Sequence, residues 1–429
     1  MQSTLMESTK VLKVSDMAET LVGSEIIKLG GEIRERISQG EKIYNFTIGD
    51  FDPSIFPIPT QLKDEIVKAY EEGETNYPAA NGMLPLRKAV SRFLHTRGGL
   101  EYNEEQLLIA GGARPLIYAT YQTIVDPGDK VIFPVPSWNN NHYSHLAHAN
   151  AVYVETSAQN NFMPTAESLK KHISEATLIA LCSPLNPAGT IFGEEQLEAI
   201  CDLILEENKK RGDYRKPVYL LYDQIYWMLC MGDNVHHDPV TLRPGMKDYT
   251  IFIDGLSKTF AATGVRIGWA FGPQKIINKM KSVLGHIGAW APKAEQIGCA
   301  RFFENDDAVD GFLNDFKGAL EDRLMGFYDG FKALKEEGFK VNVIAPKAAI
   351  YLTVQFNLLD QTTEGGEKLA TTERVGKYLL DEAKVALVPF YAFGASKKST
   401  WFRLSVGTSK MEEIPDVLNA LRAALKKLS

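Results

Sequence analysis

Cysteine is scarce in this chain of 429 residues, and the few cysteines are widely separated. No two of the four, Cys182, Cys201, Cys230 and Cys299, form a CxxC pair. Such scattered cysteines argue against both a zinc site and a disulfide framework, which need closely spaced or regularly patterned residues. We therefore predict buried free thiols and no metal site.

The chain also lacks an excess of basic residues and a long apolar run. Its 47 Lys and Arg are outnumbered by 54 Asp and Glu, with both signs spread along the chain. This distribution gives no basic stripe that could neutralise the phosphates of a nucleic acid. No apolar run approaches the roughly 18 residues that a membrane span needs, and the N-terminal "MQSTLMESTKVLKVSDMAE" lacks the apolar core of a signal peptide. We expect a cytoplasmic protein with neither nucleic acid nor a membrane as partner.

What the chain does have is enough apolar sequence for a large core. With 45% hydrophobic residues, a chain of this length is expected to form two or three structural units. Strand and helix periods alternate through the middle of the chain, as is typical of an α/β domain with a mainly parallel sheet. The strand candidates are "QLLIAGG", "DKVIFPVPSW", "ATLIALCSP", "PVYLLYD", "YTIFIDG" and "IGWAFG".

Beyond residue 300 the apolar pattern becomes helical. Large apolar residues recur at spacings of three and four and predict one long helix, in which they serve packing: Phe312, Phe316, Leu320, Leu324, Phe327, Phe331 and Leu334. Strand and helix candidates then alternate to the end of the chain. We interpret this tail as a separate, smaller unit.

Residues able to do chemistry follow several strand candidates. In open parallel sheets, ligands bind outside the carboxyl ends of the strands. The residues there are a glycine pair, an aromatic, an amide, a carboxylate with a phenol, and an amine, at 111–114, 136–138, 183–187, 223–226 and 255–258. Each has a plainer interpretation by itself, such as a turn, a helix cap, a packing aromatic or a surface lysine. Their order and spacing together indicate a site.

The motifs that contain these residues resemble those of the class I/II aminotransferases, which are pyridoxal-phosphate enzymes of fold type I. The matching segments are "NYPAANGMLPLR", "IAGGARPLIYA", "SPLNPAGT", "YDQIY", "SKTFAATGVRIGW" and "FRLSVG", spread over roughly residues 49–407. The resemblance implies an α/β fold with a mainly parallel seven-stranded sheet flanked by helices in a large domain, plus a smaller α+β domain. The boundaries we predict are 1–56 for an N-terminal arm and part of the small domain, 57–305 for the large cofactor-binding domain, and 306–429 for the long helix and the C-terminal small domain.

The resemblance also implies catalytic roles. Lys258 forms the internal aldimine, a Schiff base with pyridoxal 5'-phosphate, and later moves the proton between the substrate α-carbon and C4' of the cofactor. Burial among cations lowers the pKa of such a lysine and gives a neutral amine. Asp223 pairs with the pyridine nitrogen, which makes the ring an electron sink. Tyr226 and Asn186 donate to the 3'-oxygen of the ring.

Other matching positions imply contacts that hold the cofactor. Trp138 occupies the position of an aromatic ring that stacks on the cofactor face. Gly112 and the backbone N–H groups of Ala113 and Arg114, at a predicted helix start, hold the phosphate together with Arg266. In the motif "SKTFAATGVRIGW", the resemblance therefore assigns the covalent chemistry to Lys258 and the binding of the phosphate to Arg266.

The remaining implied contacts involve the substrate and a second subunit. Arg403 clamps the substrate α-carboxylate through a bidentate pair, assisted by the backbone of Gly49 and by Asn186. Tyr77 resembles the tyrosine that reaches the phosphate of a neighbouring subunit, which implies a homodimer with shared active sites. A plain surface turn is the alternative interpretation of its "NYPAANG" setting.

Three features depart from the family pattern. Many members have a serine three residues before the lysine, where this chain has Gly255, while Ser257 directly precedes the lysine and is assigned to the cofactor set. Arg114, followed by a proline, stands where many relatives have small or amide residues, and it could touch phosphate, substrate or neither. The segment at 139–142, "NNNH", could line the distal end of the substrate or be an ordinary polar loop.

Three functions follow from the resemblance. The leading one is transfer of an amino group between an α-amino acid and a 2-oxo acid, with aspartate and 2-oxoglutarate as the first choice and an aromatic or aliphatic donor as an open alternative. A lyase on the same scaffold, by β-elimination or by cyclisation to an aminocyclopropane carboxylate, would share every cofactor residue. A cofactor-sensing regulator is disfavoured, because about fifty residues before Gly49 are too few for a DNA-binding domain and the N-terminal arm.

Overall fold

The computed structural model describes residues 13–429, so the first twelve residues of the predicted N-terminal arm and of the "MQSTLMESTKVLKVSDMAE" segment lie outside it. The strands are β1 Tyr44–Asn45, β2 Leu107–Ala110, β3 Lys130–Val135, β4 Asn150–Glu155, β5 Ala176–Cys182, β6 Tyr219–Asp223, β7 Thr250–Gly255, β8 Gly268–Phe271, β9 Val341–Ile344, β10 Tyr351–Phe356, β11 Val385–Ala386, β12 Val388–Pro389 and β13 Trp401–Ser405.

The helices alternate with these strands through the middle of the chain. They are α1 Asp16–Thr20, α2 Glu25–Ser38, α3 Thr60–Glu71, α4 Leu84–Gly98, α5 Ala113–Ile124, α6 Asn140–Leu146, α7 Ala166–Ile173, α8 Glu194–Arg211, α9 Pro239–Leu242, α10 Leu256–Thr259, α11 Gln274–Ile287, α12 Lys293–Phe302, α13 Asp306–Glu336, α14 Thr372–Glu382 and α15 Ile414–Lys426.

The larger sheet has seven strands within residues 13–429, in the order β2, β8, β7, β6, β5, β3, β4. Strands β3 to β7 pair in parallel, and β8 runs antiparallel to both β7 and β2. The carboxyl ends of β2, β3, β5, β6 and β7 therefore meet at one edge. This arrangement confirms the predicted mainly parallel seven-stranded sheet.

Both faces of this sheet are buried, which is why its strands have continuous apolar runs rather than an alternating pattern. Leu220, Tyr222 and Phe252 belong to the apolar cluster on one face, whereas Leu221 and Ile251 belong to the cluster on the other face. Because successive residues of a strand point to opposite faces, the strand that ends in Asp223 directs that carboxylate to the second face.

A second, four-stranded sheet follows in the chain, with the order β12, β13, β10, β9 and antiparallel pairing throughout. The predicted long helix is confirmed as α13, and its apolar stripe packs on this sheet from Phe316 to Leu334. Two residues nearer its start, Val309 and Leu313, pack with the cluster of the larger sheet instead. The helix thus contacts both cores, and the predicted domain boundaries stay predictions.

All four cysteines are free, and Cys201, Cys230 and Cys299 are buried as predicted. Cys182 differs, because the last residue of β5 lies at the cavity described below and is half-buried. Between residues 13 and 429, no helix is both long and apolar enough to cross a membrane.

Candidate active site

A cavity of about 510 Å³ lies at the carboxyl ends of the parallel strands. Most residues selected from the sequence line it: Gly49, Ala113, Arg114, Trp138, Asn186, Asp223, Tyr226, Ser257, Lys258, Arg266 and Arg403. Of the segment at 139–142, Asn140 lines the cavity, accepting a hydrogen bond from the Tyr121 hydroxyl at 3.1 Å. The structure brings these residues together, and their individual roles stay predictions.

Lys258 lies in the short helix that follows β7, and its Nζ donates a hydrogen bond to the carbonyl oxygen of Gly49. Burial, together with the nearby guanidinium groups of Arg403 and Arg114, lowers the pKa of this amine to about 8. The carboxylate of Asp50 acts in the opposite direction. An amine with such a pKa is partly neutral near pH 7 and can act as nucleophile and base.

The turn that carries Lys258 explains one departure from the family pattern. A side chain at Gly255 would bring its Cβ to 2.8 Å from both the Cα of Gly268 and the carbonyl oxygen of Ile267. The two strands approach so closely there that glycine is required, and a serine hydroxyl at this position is excluded. Ser257, which is 8% exposed, is the hydroxyl that the chain does offer beside the lysine.

Asp223 is the last residue of β6, and its carboxylate faces the cavity. Burial raises the pKa of Asp223 to about 6, and the backbone N–H of Ile225, which donates to Oδ1 at 3.1 Å, opposes this effect. A nearby cation would stabilise the charged form of this buried carboxylate. A protonated ring nitrogen in the cavity would be such a cation.

Arg403 lies on β13 and is 2% exposed. Its Nη1 donates to Oδ1 of Asn186 at 3.0 Å and its Nη2 donates to the carbonyl oxygen of Thr47 at 2.7 Å, so its described partners are neutral oxygens. Its Nε is buried without a hydrogen-bond partner in residues 13–429. A buried cation with an unused donor is suited to a ligand carboxylate, which would supply both the charge and the acceptor.

The glycine pair after β2 forms the corner of the cavity where α5 begins. The first N–H groups of this 12-residue helix have no partner within the helix, and they carry the positive end of its dipole. Gly112 has φ 96°, and a Cβ there would overlap the guanidinium of Arg266. Arg266 itself donates to the carbonyl oxygens of Gly111 and Thr263 at 2.9 and 2.7 Å. This corner is suited to an anion such as a phosphate.

Trp138 and Arg114 contact each other in the lining of the same cavity. The Cζ atom of Arg114 lies 5.2 Å from the centroid of the Trp138 ring, within the range of a cation–π contact. Trp138 thus presents a ring face to the cavity, and an exposed guanidinium lies over it.

Tyr77 does not reach this cavity. Its side chain is 83% exposed, and its ring lies 5.5 Å from the ring of Trp290 in an edge-to-face arrangement. Both residues line a separate groove. Tyr77 is not among the described residues that line the cavity, and its predicted role across a subunit interface stays a prediction.

Tyr351 and Asp50 also line the cavity, although neither was predicted from the sequence. Tyr351, on β10, places its hydroxyl oxygen 2.6 Å from that of Tyr226. Asp50 accepts a hydrogen bond from the Thr263 hydroxyl at 2.7 Å and influences the pKa of Lys258. Neither follows a strand of the larger sheet, so the search of strand ends could not find them. The position of Asp50 directly after Gly49, which was selected, is the one signal that the sequence offered.

The comparisons with known proteins agree with the family that the sequence motifs resemble. The family model "Aminotransferase class I and II" matches residues 41–421. The chain is 30% identical over 419 residues to aspartate aminotransferase of Geobacillus stearothermophilus, covering 97% of this chain and 98% of that protein. The crystal structure of the aspartate aminotransferase from Rhizobium meliloti has a TM-score of 0.87 at 26% identity, with 97% and 100% of the two chains covered. Aspartate aminotransferase from Thermus thermophilus with maleate has a TM-score of 0.84 at 25% identity, with 96% and 100% covered.

The chain therefore belongs to the class I and II aminotransferase family. It has the fold of that family, fold type I, and it is an enzyme that transfers amino groups between an amino acid and a 2-oxo acid. The lyase alternative is not favoured, because the relatives that match over nearly the full chain are aminotransferases.

Proposed function

We propose that this aminotransferase holds pyridoxal 5'-phosphate on Lys258 and moves the amino group of a dicarboxylic amino acid, such as aspartate, to 2-oxoglutarate. The observation that carries the proposal is the Lys258 amine, which lies in the cavity with a pKa lowered to about 8. When bound, the cofactor supplies an aldehyde that condenses with amines and a ring that withdraws electrons.

The residues of the cavity fit this cofactor. The start of α5 and Arg266 suit the phosphate, since they combine free backbone donors with a cation. Asp223 suits the protonated ring nitrogen, because burial leaves its carboxylate in need of a cation. Trp138 offers a ring face for stacking, and Asn186 and Tyr226 offer donors for a phenolic oxygen.

The chain's own groups then perform the proton transfer. Once the amino group of the substrate has replaced it on the cofactor carbon, Lys258 would be a free neutral amine that takes the proton from the α-carbon of the bound amino acid and delivers it to C4' of the cofactor. Its pKa near 8 matches this role, because the amine is both available as a base near neutral pH and readily protonated. Arg403 orients the substrate through its α-carboxylate, which fixes the direction in which the proton leaves.

The proposal for a dicarboxylic substrate depends on the cations of the cavity. Lys258 is assigned to the cofactor carbonyl, Arg266 to the phosphate and Arg403 to the α-carboxylate, which leaves Arg114 without an assigned anion. A second carboxylate on the substrate would provide that anion. The named activities of the relatives support the same substrate class, since they are aspartate aminotransferases and one of them was solved with maleate, a dicarboxylate.

We also propose a homodimer in the cytoplasm. The support for the dimer is the exposed Tyr77 ring, which the family resemblance assigns to a neighbouring subunit and which is 83% exposed in the single chain. Tyr77→Phe should leave the dimer intact in sedimentation but weaken cofactor retention on dialysis. A monomeric protein, or unchanged retention, would contradict the shared site. Cell fractionation tests the location.

The test of the covalent role uses reduction with borohydride. Protein loaded with pyridoxal 5'-phosphate should yield a pyridoxyl-tagged peptide that contains residue 258, and Lys258→Ala should yield none. The variant should still bind the cofactor without a covalent link and should have no transaminase activity. A tag on another lysine, or full activity of the variant, would overturn the proposal.

The test of the substrate compares dicarboxylic and neutral amino donors. Arg114→Met should raise KM for aspartate by about tenfold, the cost of about 1.4 kcal/mol, and should leave KM for alanine nearly unchanged. An equal change for both donors would assign Arg114 to the phosphate instead. A wild-type preference for aromatic or aliphatic donors would refute the dicarboxylic proposal and leave the cofactor proposal intact.

A further inference from the structure

Tyr226 and Tyr351 form a buried pair of phenols at the wall of the cavity. Their hydroxyl oxygens are 2.6 Å apart, and the two side chains are 2% and 1% exposed. Their rings meet edge to face at 5.5 Å. Both residues line the cavity, yet they come from different sheets, because Tyr226 follows β6 and Tyr351 begins β10.

Only one of the two hydroxyl protons of this pair can lie in the hydrogen bond between the two phenols. In the described part of the chain, each hydroxyl has the other as its hydrogen-bond partner, and a hydrogen bond between two phenols consumes one of their two protons. A buried donor without an acceptor is unfavourable and is usually satisfied by a partner. Since both phenols line the cavity, the missing acceptor is expected to be an atom of the ligand.

The surroundings decide which phenol directs its proton to the ligand. The Tyr351 hydroxyl lies against the backbone of Gly49, so close that a Cβ there would be 2.9 Å from its oxygen. The guanidinium of Arg403 stacks on the Tyr351 ring, with Cζ 4.6 Å from the centroid. A cation beside a phenol favours release of its proton. Burial raises the pKa of both phenols and Arg403 lowers both, whereas the hydrogen bond between the two hydroxyls lowers the pKa of Tyr351 and raises that of Tyr226.

We propose that Tyr351 is a positioning residue for transamination: its hydroxyl donates to the oxygen of Tyr226 and thereby directs the Tyr226 proton to the phenolic oxygen of the cofactor. This inference rests on the proposed role of Tyr226 as a donor to that oxygen. Hydrogen bonds in series polarise one another, so the first donor strengthens the second. Because Tyr351 also contacts Arg403, the same residue joins the carboxylate clamp to the donor at the cofactor.

The experiment is a pH titration of the visible absorbance of the cofactor-loaded protein. Tyr351→Phe removes one oxygen and keeps the ring on which Arg403 stacks. Without the Tyr351 donor, Tyr226 stabilises negative charge on the phenolic oxygen less well. The midpoint of the absorbance change should therefore rise by about half a pH unit, and kcat should fall about three- to tenfold. A role limited to packing would not move this midpoint.

Two further variants separate the possible outcomes. Tyr226→Phe should raise the midpoint more than Tyr351→Phe, and the double variant should match Tyr226→Phe alone, because Tyr351 acts through Tyr226. Tyr378→Phe is the matched control, since Tyr378 is a buried tyrosine whose hydroxyl donates to the carbonyl oxygen of Ala424 at 2.7 Å, and it does not line the cavity. It should lower the unfolding temperature and leave the midpoint unchanged.

Each result supports or overturns the inference. An unchanged midpoint in Tyr351→Phe, with a shift in Tyr226→Phe, would refute the role of Tyr351 and leave the proposed function intact. Additive shifts in the double variant would show that Tyr351 does not act through Tyr226. Wild-type protein that takes up no cofactor, or Tyr226→Phe without a shift, would overturn the assignment of Tyr226 and this inference with it.

Discussion

The lowered pKa of Lys258 gives a quantitative prediction for the protein without its cofactor. At pH 7, an amine with a pKa of about 8 is roughly 10% neutral, whereas an ordinary lysine with a pKa of 10.5 is about 0.03% neutral. The neutral fraction thus differs by about 300-fold. The reactivity of Lys258 should rise with pH and level off above about 8.5, while that of exposed lysines should keep rising through pH 10.

Competitive labelling with a small excess of acetic anhydride measures this difference. The cofactor-free protein is pulsed at a series of pH values, fully labelled with an isotopic reagent after unfolding, and digested. The ratio of the first label to the isotopic label measures how reactive each lysine was in the folded protein. This ratio is compared between the peptide that contains Lys258 and a peptide that contains Lys279, an exposed lysine of α11, in the same sample. A Lys258 signal that still rises tenfold per pH unit between 8.5 and 9.5 would refute the assigned burial and charge environment.

The lowered pKa of Lys258 also determines how this residue changes the stability of the folded protein with pH. The pKa of Lys258 is lower in the folded protein than in the unfolded chain, so folding is disfavoured while the amine is protonated in both states. The cost is fully present below about pH 8 and disappears as the pH rises through 10.5. It amounts to at most about 3 kcal/mol, since the amine is partly exposed to the cavity.

Three more predictions concern residues in and around the cavity. Asp50→Asn should lower the midpoint of Lys258 labelling, because the Asp50 charge raises the pKa of that amine; an upward shift would contradict the assigned contact. Gly112→Ala should weaken cofactor binding at least tenfold, because the added Cβ displaces the adjacent guanidinium, and unchanged binding in an equilibrium titration would exclude this corner as the phosphate site. Trp227→Phe should lower the free energy of unfolding by about 1–3 kcal/mol, because it removes the donor to the buried Asp254, and urea denaturation checks this value.

Much of the site could be predicted because the chemistry lies at the ends of parallel strands. In a parallel sheet, the residue after each strand is brought to one edge whatever the lengths of the connecting helices. Asp223, Asn186 and Lys258 lie at or just after the ends of three neighbouring strands, and their order and spacing in the sequence indicated one site. The buried strands could also be predicted from their continuous apolar runs, because both faces of the sheet require apolar residues.

The contacts missed by the sequence analysis depend on packing between distant segments. Tyr351 meets Tyr226 across 125 positions of sequence, and Lys258 meets the carbonyl oxygen of Gly49 across 209. Neither contact has a periodic signal, since each depends on how the four-stranded sheet lies against the cavity. The requirement for glycine at 255 was likewise hidden, because it comes from the backbone of β8 rather than from the local sequence.

The face of the sheet opposite the cavity also determines the geometry of the site. Asp254 is fully buried there, and it accepts hydrogen bonds from the N–H of Gly255 at 2.7 Å and from Nε1 of Trp227 at 2.9 Å. The first bond holds the turn that leads to Lys258, and the second ties that turn to the segment that follows Tyr226. Burial raises the pKa of Asp254 well above its ordinary value, while the hydrogen bonds from Gly255 and Trp227 act in the opposite direction. The lysine and the phenol are thus fixed relative to each other by a buried carboxyl group that does not line the cavity.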